Sequence, residues 1–393
     1  MRASGLRDGR PGSQSALRGL NRQRIVDALT EGGAFTQAEL SRRTGLSAAT
    51  VSNIVRLLLD EGAVTAKETT SSGRRASRIR LAADGSVVVG FDFGRRHARI
   101  VVASPSYEVL AERVIELPRG YPALEGVTAA REVLEQLMKR AGIDRARALG
   151  AGLGMPGPID RRTGMVVQGT ILPEWIGVAR DDLERTLGLP VLFDNDANLG
   201  ALAEITWGAH TAARDLMFVK IGTGIGSGLI LDGRPYYGNI GVTGEIGHTT
   251  TDEQGAVCQC GNRGCLETVA STTVMLELLY HRSPGEHGTA DIVRRALDGD
   301  PGTLRVLEDA GAAVGAALGN TANIINPEVI LVGGPLTAIG DALLEPIVRA
   351  FGRHAVPRVS ESTRIEISSL GDRAEALGAA SLALRHFQPA ARP

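Results

Sequence analysis

The chain has 393 residues, 43% of them hydrophobic and 22% charged, with 43 Lys and Arg against 44 Asp and Glu; at about 150 residues per domain this is a soluble globular protein of two or three domains, which excludes a peptide or a lone binding module. No run approaches the roughly 18 uninterrupted apolar residues of a membrane helix, and MRASGLRDGRPGSQ has no apolar stretch behind its arginines, so no membrane partner and no secretory signal are expected and the chain reads as cytoplasmic. The near balance of charge hides an asymmetry: residues 1–82 hold 14 Lys and Arg against 7 Asp and Glu, a balance of +7, while the remainder holds 29 against 37, a balance of −8; a basic segment on an acidic body is the footprint of a nucleic-acid-binding module joined to something else.

Residues 1–16 are rich in Arg, Gly and Ser and nearly free of apolar side chains, the composition of a flexible arm. From residue 17 the pattern changes. Leu20, Ile25, Val26 and Leu29 recur at helical spacing, and Glu31-Gly32-Gly33 closes that helix. TQAELSRRTGLSAATVSNIVRLLLDEGAV then predicts a short helix around Ala38–Arg43, a turn at Gly45, and a longer helix capped by Ser47 with Val51, Ile54, Val55 and Leu58 inward. That is helix-turn-helix grammar. Short strands are expected at Val64–Glu68 and Arg78–Leu81 with TTSSGRRAS as the tip between them, so residues 17–83 read as a winged helix. Thr50, Ser52, Asn53 and Arg56 fall on the polar face of the second helix, from which short polar heads reach base edges in a major groove; Arg74 and Arg75 at the wing tip suit a minor groove or a phosphate. Double-stranded DNA is therefore the expected partner, with a winged helix used only for protein contacts as the alternative.

Residues 84–393 change to alternating strands and helices. Val87–Phe93 and Ala98–Ala103 are apolar strand runs, Ala129–Ala141 a helix and Leu149–Leu153 a buried strand; the order recurs in Leu216–Ile221, Gly228–Leu231 with its Asp232-Gly233 turn, a long helix from about Leu304 and the strand Val329–Val332. Two related halves, roughly 84–205 and 206–393, predict an α/β body of two lobes with a cleft between them.

All three cysteines lie within eight residues. GEIGHTT followed by CQCGNRGCLE supplies His248, Cys258, Cys260 and Cys265, one imidazole and three thiolates, the ligand set of a closed tetrahedral structural zinc site with no open position for an activated water. Gly261 and Gly264 allow the tight turns that bring the cysteines together. Glu245 and Glu267 flank the cluster, so a metal there would also fix two carboxylates suited to vicinal hydroxyls. DNDAN at 194–198 follows the buried run Val191–Phe193 and leads into a helix at Leu199–Ile205, placing Asp196 near a helix N-terminus as a proton acceptor; the same residues equally suit an ordinary helix cap. IGTGIGSG, with Gly222, Thr223 and Gly224, and Gly333-Gly334 after a buried strand are glycine-rich turns that admit phosphate or close backbone approach, each a weak signal alone.

The ordered set GMPGPID (154–160), DNDAN, IGTGIGSG, GEIGH, CQCGNRGCLE and NPEVILVGG (326–334) resembles the ROK family of repressors and sugar kinases, built on the two-lobed actin-like ATPase fold, over about residues 18–385. The resemblance implies that an N-terminal winged helix marks the regulator branch, that Asn195, Asp196, Glu245, His248 and Glu267 hold sugar hydroxyls between the lobes, with His248 also on zinc, and that Asp196 is the catalytic base in kinase members. Kinases of this kind carry Asp-x-Gly-Gly-Thr in the first phosphate loop, where bare backbone approaches the triphosphate and its magnesium. Here the loop reads Asp92-Phe93-Gly94-Arg95-Arg96-His97, and ILPEW at 171–175 puts Ile171 where an Asn is usual. The expectation is a transcriptional regulator, acting as a homodimer or higher homo-oligomer on paired half-sites, that senses a sugar or sugar phosphate; an ATP- and Mg²⁺-dependent sugar kinase is the alternative.

Overall fold

The computed structural model describes residues 21–22, 24–29, 33–60, 62–71, 74–82, 85–160, 165–166, 171–281 and 287–387; the expected arm at 1–16 and the helix end at 31–32 lie outside them. The first unit starts with a helix α1 (21–22 and 24–29), then strand β1 (Phe35–Thr36), α2 (Gln37–Thr44), α3 (Ala48–Asp60) and the hairpin β2 (Val64–Ser71) and β3 (Arg74–Leu81), sheet order β1-β3-β2. Thr36 starts α2 through a capping box, its backbone N–H donating to Glu39 Oε2 at 2.7 Å, and Gly45 ends it at φ 70°. Ser47 Oγ accepts from the Thr50 N–H at 3.2 Å, so the expected cap of α3 is present. Ile25, Leu29, Phe35, Leu40, Val51, Val55, Leu58 and Ile79 form the core. The wing strands run longer than the sequence predicts, pairing out to Ser71 and Arg74. The added residues read TTS and RRAS, small and polar with no apolar alternation, so periodicity could not mark the ribbon's length.

The body repeats one sheet twice. In the first lobe β4 (Val87–Phe93), β5 (His97–Ala103) and β6 (Val109–Glu116) form an antiparallel meander; after α4 (Ala123–Arg140), β7 (Ala148–Met155) joins parallel to β4. A two-stranded turn, β8 (Ile159–Asp160) and β9 (Met165–Val166), and α5 (Arg180–Leu187) precede β10 (Val191–Asn195), which pairs parallel to β7. The helix α6 (Asp196–Glu204) leads to the second lobe, where β11 (Leu216–Ile221), β12 (Ile225–Leu231) and β13 (Arg234–Tyr236) repeat the meander. Then follow α7 (Glu267–Ala270), α8 (Thr272–Tyr280), α9 (Thr289–Leu297), the long α10 (Pro301–Ile325), β14 (Val329–Gly333), α11 (Asp341–His354), α12 (Pro357–Ser362), β15 (Arg364–Ile367) and the closing α13 (Ala374–His386). The strands β14 and β15 add in parallel beside β11, as β7 and β10 do beside β4.

The expected division of the body near residue 205 misses α13, which returns from the second lobe to the first. It seats on bare glycines: a Cβ at Gly90 would come within 2.1 Å of the Ala376 carbonyl oxygen, and one at Gly152 within 2.0 Å of that of Ala379. Gly378 brings α13 equally close to α6, where a Cβ would stand 1.9 Å from the Leu199 carbonyl oxygen. These two helices, with Leu202, Phe218, Leu331 and Leu377, form a third core between the two lobe cores. Their N-terminal residues, Asp196 and Glu375, open onto the cleft.

Candidate functional site

The cleft between the lobes encloses about 1040 Å³, at the upper end of small-molecule sites. Its floor is the junction of β10 and α6. Asn195 caps α6, its side-chain oxygen accepting from the Ala197 N–H at 2.9 Å while its Nδ2 donates to the Gly157 carbonyl at 3.0 Å. Asp196, buried to 8% exposure, opens the helix itself, three residues earlier than the sequence predicts, and one of its carboxylate oxygens accepts from the Ala197 N–H at 2.9 Å. Asp194 accepts from Asn198 Nδ2 at 3.0 Å, which locks the turn. Cap and candidate base thus coexist: Asn195 is the cap, and Asp196 faces the cleft.

Glu245, His248 and Glu267 reach the cleft from the second lobe. Glu267 accepts from the Ile225 N–H at 3.2 Å, so this carboxylate braces the glycine turn 222–224 as well as facing the cavity. Burial pushes the Glu245 carboxyl up; His248 opposes this, and the carboxylates of Asp196 and Glu267 add to it. Three acids from three elements therefore converge on one space, the arrangement that accepts hydrogen bonds from vicinal hydroxyls.

His248, Cys258, Cys260 and Cys265 bring one ligand atom each to within 4.8 Å of the others, so the cluster can hold a metal ion. His248 Nδ1 stands 3.6 Å from Cys258 Sγ, and Cys260 Sγ 3.7 Å from Cys265 Sγ. The turns work as expected, Gly261 at φ 95° and Gly264 at φ 65°, the latter with a Cβ position only 1.5 Å from the Asp252 carbonyl oxygen. His248 Nε2 lies 3.9 Å from Glu245 Oε2, so one imidazole faces the cluster with one nitrogen and the cleft with the other. Burial pushes the Cys265 thiol up to about 12, so metal binding there releases a proton.

Around the glycine turns the outcome is mixed. Gly222, Thr223, Gly224 and Gly334 line the cleft, whereas Gly333 is required by packing, since its Cβ would meet the Phe218 ring at 2.2 Å. Gly334 sits at φ 98° against the Ile221 carbonyl. In the first loop, Gly94 is closed over by His97, whose ring stands 2.2 Å from where a Cβ would be and whose Nε2 meets Asp92 at 3.2 Å. Arg95 and Arg96 occupy its tip on the cleft wall, with Ile171 also lining the cavity.

Sequence reasoning missed two charged residues. Lys220 on β11 reaches into the first lobe, its Nζ 2.8 Å from Asp196 Oδ2 and 3.1 Å from Glu375 Oε1. Burial pulls the Lys220 ammonium down, yet Asp196, Glu375 and Asp92 together hold it well above the ordinary lysine value. Burial pushes Glu375 up and Lys220 pulls it back; Asp92, although burial opposes its charge, is held low by His97, Lys220 and Arg99. The available signal was a single charge inside an apolar strand, LMFVKI, and another inside an Ala-rich helix, AEALGAASLAL.

On the winged helix, Ser52, Asn53 and Arg56 are exposed and Thr50 half-buried on one face of α3; Arg56 donates to Asn53 Oδ1 at 3.0 Å. Arg74 and Arg75 lie in β3, and their side chains are outside the described residues. The unit rests on the body through an Arg80–Glu108 ion pair of 2.6 Å and an Arg43 bond to the Thr211 carbonyl at 3.4 Å. Gly33 packs so closely that a Cβ would come within 3.2 Å of the Tyr107 ring and 3.7 Å of the Thr206 carbonyl oxygen.

Residues 88–386 match the ROK family and residues 21–75 the MarR family. The chain is 29% identical to a putative xylose repressor of Caldicellulosiruptor sp. (strain Rt8B.4) over 391 residues, 95% of this chain and 97% of that protein. It is 33% identical to a glucokinase of Halalkalibacterium halodurans, over 74% of this chain and 92% of that one. Among solved structures, a ROK family transcriptional regulator described as a homolog of the E. coli MLC protein superposes with a TM-score of 0.72 at 27% identity, covering 94% of this chain and 97% of that one. No described helix is long and apolar enough to cross a membrane.

Proposed function

The chain belongs to the ROK family and carries a MarR-type winged helix at its N-terminus, and from that premise we propose that it is a DNA-binding transcriptional repressor whose body senses a sugar or sugar phosphate. The observation that carries this reading is the path of α6. It begins at Asp196 in the cleft and, after about 14 Å at 1.5 Å per residue, ends two residues before Thr206, in the neighbourhood of Gly33 of the winged helix, where an added Cβ would stand 3.7 Å from the Thr206 carbonyl oxygen. A sugar drawn between Asp196 and the second-lobe acids Glu245 and Glu267 closes the cleft and loads this rod, and the rod moves the winged helix. In a homodimer or higher oligomer, a small rotation of each unit breaks the one-turn spacing that paired operator half-sites demand, so the sugar acts by shifting a population.

In this reading Thr50, Ser52, Asn53 and Arg56 meet base edges, Arg74 and Arg75 meet the phosphate backbone, and Asn195, Asp196, Glu245, His248 and Glu267 surround the sugar. Asn195 already uses its oxygen as a cap and one amide hydrogen on Gly157, so it contributes at most one further bond. His248, Cys258, Cys260 and Cys265 would hold one structural zinc, which supplies rigidity alone and fixes Glu245 and Glu267 around the ligand. The test is fluorescence anisotropy on an operator selected from random duplexes, titrated with pentoses including xylose, hexoses, amino sugars and their phosphates. One sugar should lower operator affinity; absence of sequence-selective binding, or no response to any sugar that calorimetry shows to bind, overturns the reading.

The 33% likeness to a glucokinase over 74% of this chain is the observation that favours the kinase alternative. The cleft itself bears on that alternative through Lys220.

A further inference from the structure

A site that transfers a phosphoryl group from a nucleotide needs three things at the mouth of its phosphate loops: a divalent ion bridging the phosphates, carboxylates free to hold that ion, and a carboxylate free to take the proton of the acceptor hydroxyl. The carboxylates are here in number. Asp92 is the next-to-last residue of β4, Asp196 begins α6 and Glu375 lies at the N-terminus of α13, and all three open on the cleft beside the glycine turn 222–224. None of them faces it uncompensated. The Lys220 ammonium lies 2.8 Å from Asp196 and 3.1 Å from Glu375, with its side chain only 20% exposed, and Asp92 is bonded to His97 at 3.2 Å.

Asp196 is consequently occupied on both oxygens, one by the Ala197 N–H and one by Lys220. Each oxygen keeps a second lone pair, so the group still accepts a sugar hydroxyl as a hydrogen-bond acceptor. A divalent cation seated on these acids would stand within contact range of a fixed positive charge in a space shielded from water, where like charges repel strongly. The first phosphate loop agrees, with His97 folded over Gly94 and two arginines at the tip.

We propose that Lys220 is the resident cation of this cleft, a specificity-determining residue that bridges the lobes by holding Asp196 and Glu375 and thereby admits a hydroxylated ligand while refusing a metal-bound nucleotide. The residues present do not fit Mg²⁺–ATP: the first loop is closed by His97 and two arginines, and at the acids the removable obstacle to the metal is Lys220. The inference rests on the reading of the body as a sugar sensor, but its test does not require the sugar to be known.

The probe is Mn²⁺, alone and with a non-hydrolysable ATP analogue, followed by electron paramagnetic resonance and calorimetry on the zinc-loaded full-length chain. Wild type and Lys220→Arg should show no cleft binding below about 1 mM. Lys220→Met should gain one Mn²⁺ site, tightened about tenfold or more, and the added change Glu375→Gln should remove the gain. Should Lys220→Met not fold, judged by circular dichroism and its thermal transition, Lys220→Gln takes its place, and wild type carries the decisive arm in either case. Mn²⁺–nucleotide bound by wild type below about 1 mM, or a well-folded uncharged variant that gains no Mn²⁺, overturns the proposal. The Mn²⁺ result as expected, with no sugar bound by any form of the protein, would leave Lys220 as the resident cation and remove the sugar-sensing reading instead.

Discussion

Replacing Asp196 by Asn keeps the shape of the side chain and changes its hydrogen bonding in a way the structure defines. The carboxylate accepts at both oxygens, from the Ala197 N–H at 2.9 Å and from Lys220 Nζ at 2.8 Å. An amide has one acceptor and must turn its NH₂ toward one of these donors. The Ala197 N–H also reaches Asn195 Oδ1 at 2.9 Å, so it is the donor that can be given up, and the amide oxygen turns to Lys220. The ammonium keeps Glu375 at 3.1 Å, and the fold should survive with a loss of about 1–2 kcal/mol, the range for one weakened buried hydrogen bond. A sugar hydroxyl that met a carboxylate now meets an amide, and the loss of one charge-assisted bond costs about 1.5–3 kcal/mol, or roughly 10- to 150-fold in affinity. Calorimetric titration of both proteins with the responding sugar, beside urea unfolding of each, measures the two effects separately. In a sensor, operator release should then need proportionally more sugar. A sugar affinity within about twofold of wild type would refute the placement of Asp196 in the ligand site, and turnover of about 1 per second in wild type, collapsing in the variant without a matching loss of binding, would show a catalytic base instead.

Metal analysis of reduced, chelator-free protein should find one zinc per chain, and Cys260→Ser should lower metal content and sugar affinity together, because the cluster positions His248, Glu245 and Glu267; metal loss without loss of sugar binding would uncouple the two. Arg74→Ala with Arg75→Ala should weaken operator binding with a shallower salt dependence, whereas Asn53→Ala should relax sequence preference, both read from anisotropy at several salt concentrations. Glu204 is fully buried at the end of α6, held by Ser368, and burial raises its carboxyl above the ordinary glutamate value. A raised folded value means that its stability contribution is complete below about pH 4.5 and is lost as pH climbs through the folded value. Glu204→Gln mimics the protonated form, so the variant should melt above wild type at pH 8 and together with it near pH 4; equal melting temperatures at both would show that Glu204 is ionised in the native state at no cost.

The winged helix, the duplicated α/β body and the His248–Cys265 cluster were legible in the amino-acid sequence because the individual elements of each are written in short contiguous stretches. Helix periodicity, glycine turns and cysteine spacing act over fewer than twenty residues, within which the chain's covalent geometry leaves few alternatives. The same locality explains the start of α6, where DNDAN offered both a cap and an acid and the structure uses Asn195 for one and Asp196 for the other. The length of the wing was not legible, because its outer residues are small and polar and carry no hydrophobic alternation. Nor was the return of α13 to the first lobe, which depends on the missing side chains of Gly90 and Gly152, strand positions whose meaning appears only when a helix is laid across them. The ion pairs of the cleft lay furthest from view. Lys220, Asp196 and Glu375 are brought within 3.1 Å by three elements from both lobes, and no local rule relates positions 24 and 155 residues apart. A lone lysine in a strand or a lone glutamate in an Ala-rich helix has no assigned charge partner until packing excludes water between them, and it is that exclusion, a property of the tertiary structure, that turns three scattered charges into one site.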